Sequence, residues 1–414
     1  MTLMEVEVPQ KVADATPPEE GSNIMTAVRH GPPTPPSGNG TPAAPAAAMT
    51  AVPFHYVQTD SFVALLRQLR GSLLVTTYQA KKLLVVREDN GGLSTLVRTF
   101  ERPMGLAVDA RQLALCTREK IWLFRNAPDI APQLEPAGRH DACFLPRSCH
   151  VTGDIAGHEV AWANGRVQGS GFRVQEEPEL WIVNTRFSCL CTLHPDYSFV
   201  PRWRPPFITA LAAEDRCHLS GLAMAPGGQD RGERGVLTPR YVTALCESDT
   251  AGGWRPNKPH GGCLIDVPAS TVVARGFSMP HSPRLFDGRL WLLESGTGRL
   301  LVIDPTTGRQ ETVTDELPGF ARGLTLHGRY AFIGLSKIRP TSVMDGVPLA
   351  KRRDELKCGV AVVDLVSGRI VGTLEFRSAV EELFDVKLLS GLRFPEVLGF
   401  QKEDIHHTFV IPPM

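Results

Sequence analysis

Between residue 71 and about residue 390 the apolar positions fall in short runs broken by Gly, Pro, Asp and Thr, and a helical spacing of apolar residues is nearly absent. The stretch GSLLVTTYQAKKLLVVRED reads as two strands about a turn at 79–81, and LALCTREKIWLFRN (113–126) repeats the plan. WIVNTRFSCLCTLHPD (181–196), RYVTALCESD with GGCLIDV (240–267), RLWLLESGTGRLLVIDPTTGR (289–309) and YAFIGLSK with CGVAVVDLVSGRIVGTL (330–374) follow it. Turns such as ESGTGR and DPTTGR punctuate hairpins, so SGTG at 295–298 is a turn and not a phosphate loop. The pattern predicts an all-β domain and excludes βαβ folds. One amphipathic helix is expected over 60–70, where DSFVALLRQLR places apolar residues at helical spacing behind a capping Asp.

A short phrase recurs along the chain. HEVAWA (158–163), HLSGLA (218–223) and HSPRLF (281–286) each set a histidine four residues before an apolar strand position. RPMGLA (102–107), FARGLT (320–325) and ELFDVK (382–387) extend the register, with Arg102, Phe320 and Glu382 in the same slot. Repetition at roughly 40–60 residues is the signature of propeller blades. The last repeat has too few strands after it to complete a blade, and the hairpin at 71–88 has no first strand. Both edges are removed if 382–389 pairs with 71–88, which gives a six-bladed β-propeller closed by N- and C-terminal strands. A seven-bladed ring is the alternative, with extra strands in 126–157. Residues 1–50, rich in Pro, Ala, Gly, Ser and Thr, are expected to be a disordered tail, with the propeller over 51–398 and a packed C-terminal tail over 399–414.

Composition narrows the function classes. The 414 residues carry 44 Lys plus Arg and 44 Asp plus Glu, so no net field draws in nucleic acid. No apolar run is long enough for a spanning helix, and the acidic, proline-rich start is unlike a secretory leader. The nine cysteines are odd in number and lie mainly in apolar strands, which reads as free thiols in a cytoplasmic protein.

If equivalent slots face one axis, His158, His218, His281 and Glu382 meet there. Three imidazoles and a carboxylate suit a transition metal, iron, zinc, manganese or copper, with open coordination positions. Asp154, Glu159, Asp215 and Asp385 are candidate acceptors for the second imidazole nitrogens. Arg216, Arg284 and Arg322 lie near the same rim and could clamp an anionic group. Trp203 and Trp254, in Pro/Gly-rich loops, are candidates for the ligand mouth. The expectation is a metal-dependent enzyme (oxygenase, hydrolase or lyase) acting on a small anionic molecule in the central funnel. Metal would rest on His158, His218, His281 and Glu382, and Glu382, Arg284 and Arg322 would serve catalysis. The competing expectation is a non-catalytic module that binds a protein or a glycan through rim loops, with the histidines filling the channel. Cys217 beside His218 is no nucleophilic pair, because adjacent strand residues face opposite ways.

The strings TGDIAGHE, VNTRFSCL, EDRCHLSGLA, GGWRPNK, PHSPR, LPGFARGL, GLSKIR and EELFDV together resemble an uncharacterised family of bacterial proteins expected to be β-propellers. The likeness spans about residues 55–395. It implies the fold and highlights His158, His218, His281, Arg284, Arg322 and Glu382, and it implies no reaction.

Overall fold

The computed structural model describes residues 26–29, 54–163, 178–226, 237–315, 317–339, 344–400 and 403–412. The expected disordered tail over 1–50 lies outside the described residues, apart from Thr26–Arg29, which pairs antiparallel with Thr408–Ile411. Six antiparallel sheets form the six blades of a propeller. The innermost strands are Asp385–Leu389, Leu106–Val108, Gly157–Ala163, Leu219–Pro226, Pro280–Phe286 and Phe320–His327 for the first to sixth blades. Each innermost strand contacts the next, and the sixth contacts the first, so the ring is closed.

Closure is made by Asp385–Leu389, which pairs antiparallel with Ser72–Thr77 and supplies the first blade with its innermost strand. The 126–157 stretch hides no seventh blade, because Ala142–Val151 is the fourth strand of the second blade, paired with Lys120–Asn126. Two short strands extend outer edges: Pro395–Val397 runs parallel to Ala142–Val151, and Tyr56–Gln58 pairs with Ile370–Phe376.

The middle strands are covered on both faces by neighbouring blades, so Ser72–Thr77 and Gly359–Asp364 are buried throughout. The one α-helix among the described residues, Asp60–Leu69, is capped by Thr59, whose hydroxyl accepts from the Phe62 amide; Asp60 sits in its first turn. Its buried residues Phe62, Leu65 and Leu66 pack on Leu73, Val75 and Val86 of the first blade and on Phe332, Val362 and Phe376 of the sixth. The helix therefore covers the junction between the first and sixth blades.

Around the axis the innermost strands come so close that side chains are excluded at alternate blades. A Cβ on Gly105 would lie 2.8 Å from the His158 carbonyl oxygen, one on Gly221 2.8 Å from the Ser282 nitrogen, and one on Gly323 2.6 Å from the Val386 nitrogen. The partner blades answer with polar side chains. Leu222 N donates to Glu159 Oε2 at 2.8 Å, Gly323 N to Ser282 Oγ at 3.1 Å, and Leu106 N to Asp385 Oδ2 at 2.9 Å. Glu159, Ser282 and Asp385 are thus equivalent, and the residues just before them are His158, His281 and Phe384. The true counterpart of the histidines in the first blade is Phe384; Glu382 lies two residues upstream of the slot that the repeated phrase assigns to it.

Candidate functional site

One end of the axis opens into a cavity of ≈ 520 Å³, and Arg102, His158, His218, His281, Phe320 and Glu382 all contribute to its wall. The three imidazoles line the same wall. Ring centroids are 4.7 Å apart for His158 and His218, and 6.3 Å for His158 and His281. Aromatic rings continue the circle: Phe384 lies 5.1 Å from His158, Phe320 5.6 Å from His281, and Trp254 4.2 Å from His218.

Backbone irregularity is what aims these rings. Strand pairing shifts between Gly157 and Val160 and between His281 and Arg284, so consecutive residues at these bulges both turn toward the axis. His218 instead stands just before its strand at φ +53°, a left-handed conformation that lifts it to the mouth of the channel.

The hydrogen bonds fix which ring nitrogen carries the proton. His158 Nδ1 lies 3.1 Å from the Ala156 carbonyl and 2.8 Å from Thr185 Oγ1, whose own proton goes to the Leu219 carbonyl at 2.6 Å. His281 repeats this with the Met279 carbonyl and Ser295 Oγ, each 2.9 Å from Nδ1, and Ser295 in turn donates to the Ala321 carbonyl. His218 Nδ1 lies 3.0 Å from both oxygens of Asp215, which also accepts from Trp254 Nε1 at 3.0 Å. In each ring Nδ1 is the donor, so a neutral ring keeps its lone pair on Nε2. Burial, then the neighbouring imidazoles and the Arg322 guanidinium, holds His158 and His281 well below the ordinary histidine pKa, so both are neutral near pH 7.

Among the described residues no group of three or more His, Cys, Asp or Glu side chains is gathered tightly enough to enclose a metal ion. Glu382 reaches the cavity wall but is ion-paired with Arg339 at 3.0 Å, and its Oε2 has no hydrogen-bond partner among the described residues. Of the four carboxylates expected behind the histidines, only Asp215 is there. Asp154 binds Arg102 and Arg186, each at 3.2 Å, while Glu159 and Asp385 serve the deeper channel.

The arginines separate in the same way. Arg322 lines the cavity, whereas Arg284 turns away from it to donate to the carbonyls of Leu324 and Leu222 and to pair with Glu159. Arg216 braces the rim through Glu214 and Asp249 at 2.8 Å each, outside the wall. Trp254 lines the mouth; Trp203 lies on a fourth strand, bonded to Ser270. Tyr78 and Arg339 complete the wall without any signal in the repeated phrase, since they come from turns after the second strands of their blades. Cys217 is buried and its thiol is pushed up to about 12, which removes it as a nucleophile.

Residues 60–398 match the domain family of unknown function DUF4915. The chain belongs to this family. No curated protein matches it. Among solved structures, this DUF4915 protein is similar to a chain of a nidogen/laminin complex (11% identity, TM-score 0.44, covering 78% of this chain and 99% of that one). A protein of unknown function from Bacteroides caccae matches at 10% identity and a TM-score of 0.43, over 77% of this chain and 98% of that one. The PQQ-bound aldose sugar dehydrogenase of Streptomyces coelicolor matches at 12% and 0.37, over 77% and 91%. Among the described residues no helix is long and apolar enough to cross a membrane.

Proposed function

We propose that the funnel is the active site of a metal-dependent enzyme that acts on a small anionic molecule. The observation that carries this reading is the shared tautomer. Three imidazoles that line one cavity each have Nδ1 committed to a carbonyl, hydroxyl or carboxylate, which keeps Nε2 as the nitrogen available for coordination. Outer hydrogen bonds of this kind are what orient metal-ligating histidines. Two imidazoles on neighbouring positions of one ion have ring centroids roughly 4.5–5.3 Å apart, given metal–nitrogen distances of about 2.0–2.1 Å. His158 and His218 already stand at 4.7 Å, and His281 has to approach His158 by about 1 Å from its 6.3 Å to join them.

Glu382, with a buried Oε2 that has no partner among the described residues, is the carboxylate for a fourth position. Iron, zinc, manganese or copper bound there would polarise a substrate carbonyl or activate water or dioxygen, the chemistry of hydrolases, lyases and oxygenases. The residues of this chain would do the rest. Arg322 holds the anionic end, the rings of Phe320, Phe384 and Trp254 exclude water, and Asp215 fixes the orientation of His218.

Elemental analysis of protein purified without a histidine tag tests the reading. It predicts close to one equivalent of one transition metal, lost in His158→Ala and in His281→Ala. Less than about a tenth of an equivalent, with none taken up on addition, favours the competing module in which the histidines only fill the channel.

A further inference from the structure

The funnel wall carries more fixed positive charge than it neutralises. Six lining residues are Arg or Lys and three are Asp or Glu, and those carboxylates are largely committed: Asp215 to His218 and Trp254, Glu382 to Arg339, Glu214 to Arg216. Arg102 and Arg186 share Asp154. Arg322 is placed differently. It makes no ion pair within the described residues, its terminal nitrogen donates to the Leu383 carbonyl at 3.3 Å, and its Nε, shut off from solvent, has no partner there. Its guanidinium carbon lies 4.1 Å from the centre of the Phe384 ring and 6.0 Å from that of Phe320. Stacking on Phe384 fixes the plane of the fork and leaves its edge as the donating surface.

A planar fork held against the Phe384 ring, with an unmet donor, can meet both oxygens of a carboxylate in its own plane. We infer that Arg322 anchors a carboxylate subsite, which takes the carboxyl group of a small organic acid whose remaining atoms reach the three imidazoles. The ≈ 520 Å³ cavity lies within the range of about 300–1,000 Å³ usual for small-molecule sites. The inference deepens the reading of the funnel as a small-molecule site and does not depend on the metal.

Calorimetric titration of the full chain with benzoate, acetate and inorganic phosphate at constant ionic strength tests it, on protein as purified and after treatment with a chelator. Benzoate should bind, acetate should compete with it, and phosphate should bind more weakly than either. Arg322→Gln should weaken benzoate at least about tenfold, the scale of a lost charge-assisted pair, with Arg322→Lys in between. Should Arg322→Gln fail to fold, Arg322→Lys carries the comparison and must lose several-fold in affinity. The same Arg322 dependence after chelation supports the subsite even where elemental analysis finds no metal, so the two readings fail separately. No benzoate binding by the wild type up to about 10 mM, equal affinities in all three proteins, or tighter binding of phosphate than of carboxylates would overturn it.

Discussion

The axis of this propeller holds two clusters of ionisable side chains, one at the funnel and one deeper between the same six strands, and they are built on opposite principles. In the deeper cluster Glu159 pairs with Arg284 and lies 3.9 Å from Lys387 Nζ, which is 3.2 Å from Asp385. Each carboxylate also accepts a backbone N–H from the next blade, and Arg284 donates to carbonyls of two other blades. Two cations meet two anions, and Glu159, Asp385 and Arg284 are also tied to the frame. At the funnel, cations outnumber carboxylates, and Arg322 Nε and Glu382 Oε2 are left without partners among the described residues. The residue types are the same in both places. What separates a staple from a binding site is a buried charge left without an ion-pair partner among the described residues, as at Arg322, because burying it is costly unless a ligand completes it.

The largest effect should come from opening the ring. Deleting residues 381–414 removes the innermost strand of the first blade together with Asp385 and Lys387, and the product should show no cooperative unfolding transition. A truncated chain that melts at an unchanged midpoint would refute the closure. Next, Glu159→Ala leaves Arg284 and Lys387 facing each other with only Asp385, and urea unfolding should show a loss of about 3–5 kcal/mol. Glu382→Gln at the funnel keeps an acceptor for Arg339 and removes a charge whose Oε2 has no partner among the described residues, so it should change stability by less than about 1 kcal/mol. The reverse order of these two variants would collapse the distinction between staple and site.

A smaller effect concerns the closed interior as a whole. Burial pushes the Cys116 and Cys217 thiols up to about 12, and only Cys149 of the nine is exposed. Alkylation of the native protein should modify Cys149 first, and mass spectrometry should find the others reactive only after denaturation. The smallest effect lies at the rim. Hydrogen bonds from the Thr209 hydroxyl and amide, then Arg216, lower Asp249 to about 2. Its contribution to stability is present above the unfolded value near 3.8 and is lost as pH falls through about 2. Carboxyl NMR of Asp249 should titrate near the lower value, and Thr209→Val should move the midpoint upward.

The fold was legible because a blade repeats its own phrase. The recurrence of HEVAWA, HLSGLA and HSPRLF located three side chains that do meet in space, and the unpaired repeat at each end implied the closing strand. The details escaped where backbone geometry departs from period two. The shift in pairing after His281 sends Arg284 into the deeper channel instead of the funnel, and the strand beginning at Asp385 puts Phe384 in the slot that the phrase gives to Glu382. Asp215 could be found from its closeness to His218, because a three-residue turn returns its carboxylate to Nδ1. Tyr78 and Arg339 could not, since the turns that present them have no counterpart in the phrase.

The most direct test is an anomalous-difference map from crystals of the full chain grown with zinc. The account predicts one strong peak in the funnel, about 2.0–2.2 Å from the Nε2 atoms of His158, His218 and His281, with each Nδ1 still bonded to its carbonyl, hydroxyl or carboxylate partner. A funnel without a peak, or zinc held by other residues while the three rings keep their present spacing, would contradict it.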